Sequence, residues 1–326
     1  MPAGRLLPRL FLGVVDRLPE PSRRIQRLIA AAVILTQGGI AVTGAIVRVT
    51  ASGLGCPTWP QCFPGSFTPV PHAEVAGIHQ AVEFGNRMLT FLVVITAAAA
   101  VLAVTRARRR REVLVYAWLM PASTVAQAVI GGITVLTGLL WWTVAIHLLV
   151  SMAMVWLAVL LYVKIGEPDP KDRVAVPTPA APKPLRQLTA LSALALSAVL
   201  VTGTMVTGAG PHAGDKSLER PVPRLQVEIT TLVHMHSTLL IGYLALLIGL
   251  GFGLLAVRSS RDVMTRLAVV VVLVVAQGSL GAIQFFTGVP EALVALHVAG
   301  AAACTAATAA LWAALGERTE SEPLQR

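Results

Sequence analysis

Charge is what this sequence has least of. Asp, Glu, Lys and Arg make up 13% of its 326 residues, about half the share of an ordinary water-soluble domain. That leaves too little polar surface to cover a water-facing exterior, while 55% of the residues are hydrophobic and the mean hydropathy is +0.73. The solvent such a composition suits is lipid. Cysteine is scarce too, at three, which excludes a disulfide-dense scaffold. Neither a zinc-type Cys/His spacing nor a glycine-rich dinucleotide turn is present. The first 27 residues lack an apolar stretch ending in a small-residue cleavage site and read as a retained basic arm. A formal net charge of +10 could suggest nucleic acid, but Lys and Arg cluster in the breaks between apolar runs, so no nucleic-acid partner is expected.

Runs long enough to cross a bilayer, about 20 residues for about 30 Å, occupy 28–49, 80–104, 113–136, 143–164, 187–208, 230–256, 267–286 and 292–315. The expected fold class is an all-α polytopic membrane protein with eight transmembrane helices. Of 26 Lys and Arg residues, 21 fall in the N-terminal arm, the 106–111 run, the 164–186 and 258–266 segments and the C-terminal tail. The positive-inside rule places these, and both termini, in the cytoplasm. Arg48, Arg87, Lys216, Arg220 and Arg224 fall elsewhere. The proline-rich stretch from Lys164 to Gln187 has no helical periodicity and reads as a linker. It divides the chain into a 1–27 arm, a 28–164 half, a 165–186 linker, a 187–315 half and a 316–326 tail.

The two halves repeat. A shift of 150 residues lays Gln127, Gly131, Ile133, Thr137, Gly138, Val144, Ala145 and His147 on Gln277, Gly281, Ile283, Thr287, Gly288, Val294, Ala295 and His297, and it also lays Asn86 on His236. A shift of 159 lays Val42, Thr43, Gly44 and Val47 on Val201, Thr202, Gly203 and Val206. The expected architecture is two pseudo-symmetric four-helix bundles in the same orientation.

A repeated histidine inside a span needs a partner, because imidazole in hydrocarbon must be hydrogen-bonded or ligated. His236 and His297, on two helices at comparable depth, form the kind of pair that holds a haem iron from both faces. The bland alternative, a hydrogen bond to a hydroxyl or carbonyl of a neighbouring helix, stands beside ligation and is most serious for His147. His234 lies on the opposite side of its helix from His236 and reads as structural or interfacial.

The first half breaks the symmetry. Asn86 stands where the repeat calls for histidine, which leaves His147 as one strong axial ligand and the facing position open or weakly held, an arrangement suited to chemistry. His79 is too far along the helix to replace the lost ligand and reads as a group that supports the site from behind or relays protons. Glu83 is either the acid of an i, i+4 ion pair with Arg87 or a group that takes protons at a substrate in the open pocket; the second is the reading adopted. Arg87 could instead hold a haem propionate. In the long loop between the first two spans, Cys56 and Cys62 form either a disulfide closing a lid or a pair of free thiols. Cys304 reads as a small apolar core residue. His212 and Asp215, in GAGPHAGD, lie on a turn at the surface or on a lid.

Together, the eight spans in two halves, GLGCPTWPQC, the Glu83 to Arg87 element, TGAGPHAGD and histidines 147, 236 and 297 resemble the haem A synthase family over essentially the whole chain. That resemblance implies an oxidoreductase that oxidises a methyl of haem O to the formyl of haem A for cytochrome oxidase. It implies haem b on His236 and His297, substrate haem O near His147, Glu83 as the functional acid, and Cys56–Cys62 as the outer disulfide. The family commonly has histidine where this chain has Asn86. Implied partners are haem O, haem O synthase, cytochrome oxidase assembly factors, membrane lipid and a homo-oligomer, and the implied location is the bacterial plasma membrane. Two rivals are a b-type cytochrome that only passes electrons, which leaves Glu83 unused, and a transporter, which repeats often signal.

Overall fold

The computed structural model describes residues 9–72, 75–167, 169, 178–179, 181–216 and 221–318. Among them nine helices follow in order: α1 Arg9–Val15, α2 Arg23–Val49, α3 Gly77–Arg106, α4 Arg111–Leu136, α5 Trp141–Gly166, α6 Lys183–Ala209, α7 Ile229–Ala256, α8 Arg261–Phe286 and α9 Glu291–Leu315. All except α1 are long and apolar enough to cross a membrane, in agreement with the eight spans. Mid-helix apolar side chains such as Leu35 at 74% exposure and Phe252 at 70% make sense only against lipid. Thr178–Pro179 pairs antiparallel with Glu317–Arg318, joining the linker to the end of the second half.

Several helices begin before their apolar stretch does. Helix α2 starts at Arg23 and α8 at Arg261 because serine caps set those starts: the Ser22 and Ser260 hydroxyls accept the amides of Ile25 and Val263 at 3.3 and 3.4 Å. The basic arm carries α1, and Asp16 of that arm pairs with Arg108 at 2.6 Å while Leu18 O accepts from Arg106. Residues 1–8, the linker positions 168, 170–177 and 180, and the tail from 319 lie outside the described residues.

Helix α2 packs on α3 and α5, with α4 bridging those two; α6 to α9 repeat the arrangement. Lipid is as apolar as leucine, so helices associate through close packing and polar contacts. Small residues mark the crossings of the first bundle, where Ala30, Ala97, Ala100, Ala117 and Ala158 are buried. Hydroxyls add cross-links: Thr36 to Thr96 at 2.9 Å, and Tyr243 to Thr308 at 2.6 Å.

The halves meet where α2 and α5 pack against α9, with α5 also touching α6. One apolar cluster there contains Ala41, Met152 and Ala302 with Leu148, Leu200 and Val298. These are three equivalent pairs under the sequence repeat: 41 with 200, 148 with 298, and 152 with 302. Because both members of all three pairs gather in one cluster, the pseudo-two-fold axis runs through this seam.

At the arginine-rich end, Arg109 is buried. It pairs with Asp169 at 2.8 Å and donates to Gln26 Oε1 and to the carbonyls of Ile165 and Glu167. Desolvation pushes its guanidinium below the usual value, with Asp169 opposing that shift.

Candidate functional site

The opposite end carries the loop between α2 and α3, closed by a disulfide between Cys56 and Cys62. Both sulfurs are fully buried beside Phe63, Val70, Val75 and Phe84. The loop lies tight on α3: a Cβ on Gly55 would sit 2.2 Å from His79 O, so only glycine permits this approach.

Glu83 and Arg87 fasten that loop. Their spacing on α3 puts both on one face, and Arg87 Nη2 meets Glu83 Oε1 at 2.7 Å. Glu83 Oε2 accepts the Cys56 amide at 3.1 Å. Arg87 also donates to Cys56 O, Thr58 O and Gln61 O at 2.8, 3.1 and 3.2 Å. Its donors are thus committed to the loop and to Glu83, which argues against the alternative that Arg87 holds a propionate. His79 is drawn into the same knot, with Nδ1 2.9 Å from the hydroxyl of Ser52, a fully buried residue.

The histidines sit on the bundle side of this end. In the second half, His236 of α7 and His297 of α9 face each other with ring centroids 6.4 Å apart and planes at 61°. Two metal–nitrogen bonds of about 2 Å each, with the ring radii, would fill that separation. His236 Nδ1 donates to Val199 O at 3.0 Å and lies 3.1 Å from the Thr202 hydroxyl. That fixes Nδ1 as the protonated nitrogen and leaves Nε2 as a lone-pair donor, the orientation metal-ligating imidazoles commonly adopt. His297 Nδ1 is buried with no protein partner, and buried polar atoms do not stay unsatisfied without a reason. Glycines make room for both rings: a Cβ on Gly203 would lie 3.1 Å from His236 Cε1, and one on Gly281 3.0 Å from His297 Cε1. These residues fit a metal-centred planar cofactor held from two sides.

The first half reproduces the surroundings. Gln127 donates to His147 O at 3.2 Å just as Gln277 donates to His297 O at 2.6 Å. Gly131 abuts His147 Cε1 as Gly281 abuts that of His297, and His147 Nδ1 is likewise buried without a partner. At the position equivalent to His236, Thr43 donates to Asn86 Oδ1 at 2.7 Å, where Thr202 meets His236. The shorter amide leaves space, since nothing lies within 4 Å of a Cβ built on Gly44, whereas its counterpart Gly203 touches an imidazole. The result is one station with two imidazoles and, at the equivalent positions of the first half, one imidazole and one hydrogen-bonded amide.

His212 is placed elsewhere. Its Nε2 bonds Val289 O at 2.8 Å and holds the α6–α7 loop to the α8–α9 turn. That turn and its counterpart at Leu139 both take positive φ, 58° and 60°. Leu139 is buried, its Cδ1 methyl 2.8 and 3.0 Å from Cβ positions on Gly53 and Gly214, so packing sustains the unusual backbone. Sequence reading gave no role to Thr43, Thr202, Gln127 or Gln277, although the repeat contained all four. Cys304 is buried as expected.

Comparison with known proteins bears on this geometry. The model of the COX15-CtaA family, described as cytochrome oxidase assembly protein, matches residues 27–309. A heme A synthase of Geobacillus kaustophilus (strain HTA426) is 36% identical over 101 residues, 31% of this chain and 30% of that protein. One from Geobacillus thermodenitrificans is 31% identical over 142 residues, 42% of this chain and 43% of the relative. One from Lysinibacillus sphaericus (strain C3-41) is 30% identical over 115 residues, 35% of this chain and 36% of the relative. The chain thus matches less than half the length of each of these relatives.

Proposed function

Because this chain belongs to the COX15-CtaA family of cytochrome oxidase assembly proteins, we propose that it is a haem A synthase, the name its relatives carry. In this reading it oxidises a ring methyl of haem O to a formyl group, supplying haem A for cytochrome oxidase. The observation that carries the reading is the unequal pair of stations: His236 with His297, against His147 with Asn86.

His236 and His297 would hold a haem b, which supplies reversible one-electron storage when bound. The chain's own contribution there is tautomer control through Val199 O and ring placement through Gly203 and Gly281. Haem O is substrate and would meet His147 on one face. On the other, Asn86, whose Oδ1 is taken by the Thr43 hydroxyl, would offer its amide NH2, a hydrogen-bond donor in place of a ligand. Glu83, one turn from Asn86, takes up protons released as the methyl is oxidised. Arg87 and the disulfide loop hold that carboxylate in position and keep bulk water out.

The arginine-rich end and both termini face the cytoplasm of a bacterial plasma membrane, and the disulfide end faces outward, where disulfides persist. Haem O synthase and oxidase assembly factors are the expected partners. The test is to incubate purified protein with haem O and an electron acceptor, then analyse extracted haem by mass. A product heavier by one oxygen and lighter by two hydrogens, with a formyl spectrum, is expected. Haem O recovered unchanged by a protein that still cycles its own haem between oxidation states would identify an electron-carrying cytochrome instead.

A further inference from the structure

Most cations of the disulfide end are not explained by the site described so far. Arg48, in the last turn of α2, donates Nη2 to Thr207 O at 2.9 Å. Arg224, in the loop before α7, donates Nη2 to the same oxygen at 3.2 Å. Arg48 Nε is buried with no partner, and among the described residues no carboxylate pairs with either arginine. Burial pushes the Arg224 guanidinium below its ordinary value. Two guanidiniums converging on one carbonyl repel each other, and partly buried cations without a counter-charge are costly unless an anion completes the group.

The location says which anion. Thr207 lies one turn beyond Gly203 on α6, and Gly203 is the residue that touches the His236 ring. The arginines therefore stand about 6 Å along the helix from that imidazole, toward the disulfide end. Arg48 and Thr207 are also counterparts under the 159-residue shift, so their contact lies on the pseudo-two-fold axis.

We infer that Arg48 and Arg224 form a carboxylate clamp, one arginine from each half, for the propionate groups of the porphyrin held by His236 and His297. The clamp rests on the haem reading given above. A planar guanidinium presents paired N–H donors that match a carboxylate, which a lysine at either place would not. Arg87, the alternative raised by the sequence, has its donors engaged by the disulfide loop. Arg48 thus reaches across the seam, so that the first half secures the cofactor of the second.

The test uses purified holoprotein mixed with excess apomyoglobin, with haem transfer followed by absorbance. Haem should leave Arg48→Gln and Arg224→Gln about tenfold to a hundredfold faster than wild type, the loss expected for one charged hydrogen-bonding partner. Arg27→Gln, at the other end where Arg27 stacks on Tyr162, should match wild type. A second arm needs no variant: wild type loaded with haem dimethyl ester, whose carboxylates are neutral, should release it as fast as Arg48→Gln releases haem. Equal retention of haem and ester by wild type overturns the clamp, as do unchanged rates in both variants. Rates that respond to added anionic phospholipid but not to esterification assign the arginines to a lipid phosphate and also overturn it. Wild-type protein without haem absorption overturns the haem reading and the clamp together, whereas coloured protein with indifferent variants removes the clamp alone.

Discussion

Replacing Glu83 by glutamine changes few atoms and removes one charge from the knot that closes the disulfide loop. The carboxylate accepts from Arg87 on Oε1 at 2.7 and 3.2 Å and from the Cys56 amide on Oε2 at 3.1 Å. Glutamine has one acceptor oxygen. If that oxygen keeps Arg87, the new NH2 faces the Cys56 N–H, donor against donor. Losing a hydrogen bond with a charged partner costs about 1.5–3 kcal/mol, and Glu83 is 5% exposed, so water restores little. That corresponds to about a tenfold to somewhat over a hundredfold rise in the population with the loop lifted. The assay is the rate at which a water-soluble phosphine reduces Cys56–Cys62 in folded protein, read by maleimide mass-tagging, since opening precedes reduction. Reduction within twofold of wild type would refute the reasoning. In the same preparation haem b absorption should persist while haem A formation is lost, and full turnover alongside a loosened loop would confine Glu83 to a positioning role.

Asn86→His should seat an imidazole as His236 is seated, because Gly44 leaves space and Ile40 O and the Thr43 hydroxyl stand where Val199 O and Thr202 do. With haem O loaded, a second six-coordinate low-spin spectrum is expected and carbon monoxide should no longer bind at that station; persistent binding contradicts it. Asp169→Ala leaves the buried Arg109 charge without its partner, a loss of about 3–5 kcal/mol, and should lower the thermal unfolding midpoint; an unchanged midpoint would show that the lock contributes nothing. The Thr230 hydroxyl, then the Thr231 and Thr230 amides, hold the Glu228 carboxyl down to about 2. A depressed carboxyl stabilises above its unfolded value of about 4.3 and loses that contribution as pH falls toward the folded value. Glu228→Gln should therefore be less heat-stable than wild type at neutral pH, with the gap closing on acidification through that window; a gap independent of pH would be the contrary result.

The spans were legible because lipid demands unbroken apolar runs, and the repeat was legible because both copies kept glycine, glutamine and histidine in register. Helix starts were less so, since Ser22 and Ser260 cap polar turns that hydropathy does not register. The pairing of Cys56 with Cys62 was left open between two states, and the structure closes it. The destination of Arg87 was out of reach for a physical reason. Its acceptors are backbone carbonyls of Cys56, Thr58 and Gln61, which carry no side-chain signature. The same holds for His212 on Val289 O and Arg48 on Thr207 O, contacts between segments 77 and 159 residues apart that only the folded chain creates. The Thr43–Asn86 bond shows the middle case, where both residues were marked by the repeat and only their partnership was hidden.

The seam built from 41 with 200, 148 with 298 and 152 with 302 has a further meaning. A surface to which each copy contributes the same positions is isologous, the kind two identical subunits make about a dyad. A half-length ancestor with four helices would have found in its own copy the partner this seam requires, and tandem fusion of the gene would have preserved the contact. Once fused, the copies were free to diverge, so a single imidazole-to-amide exchange could specialise one without disabling the other.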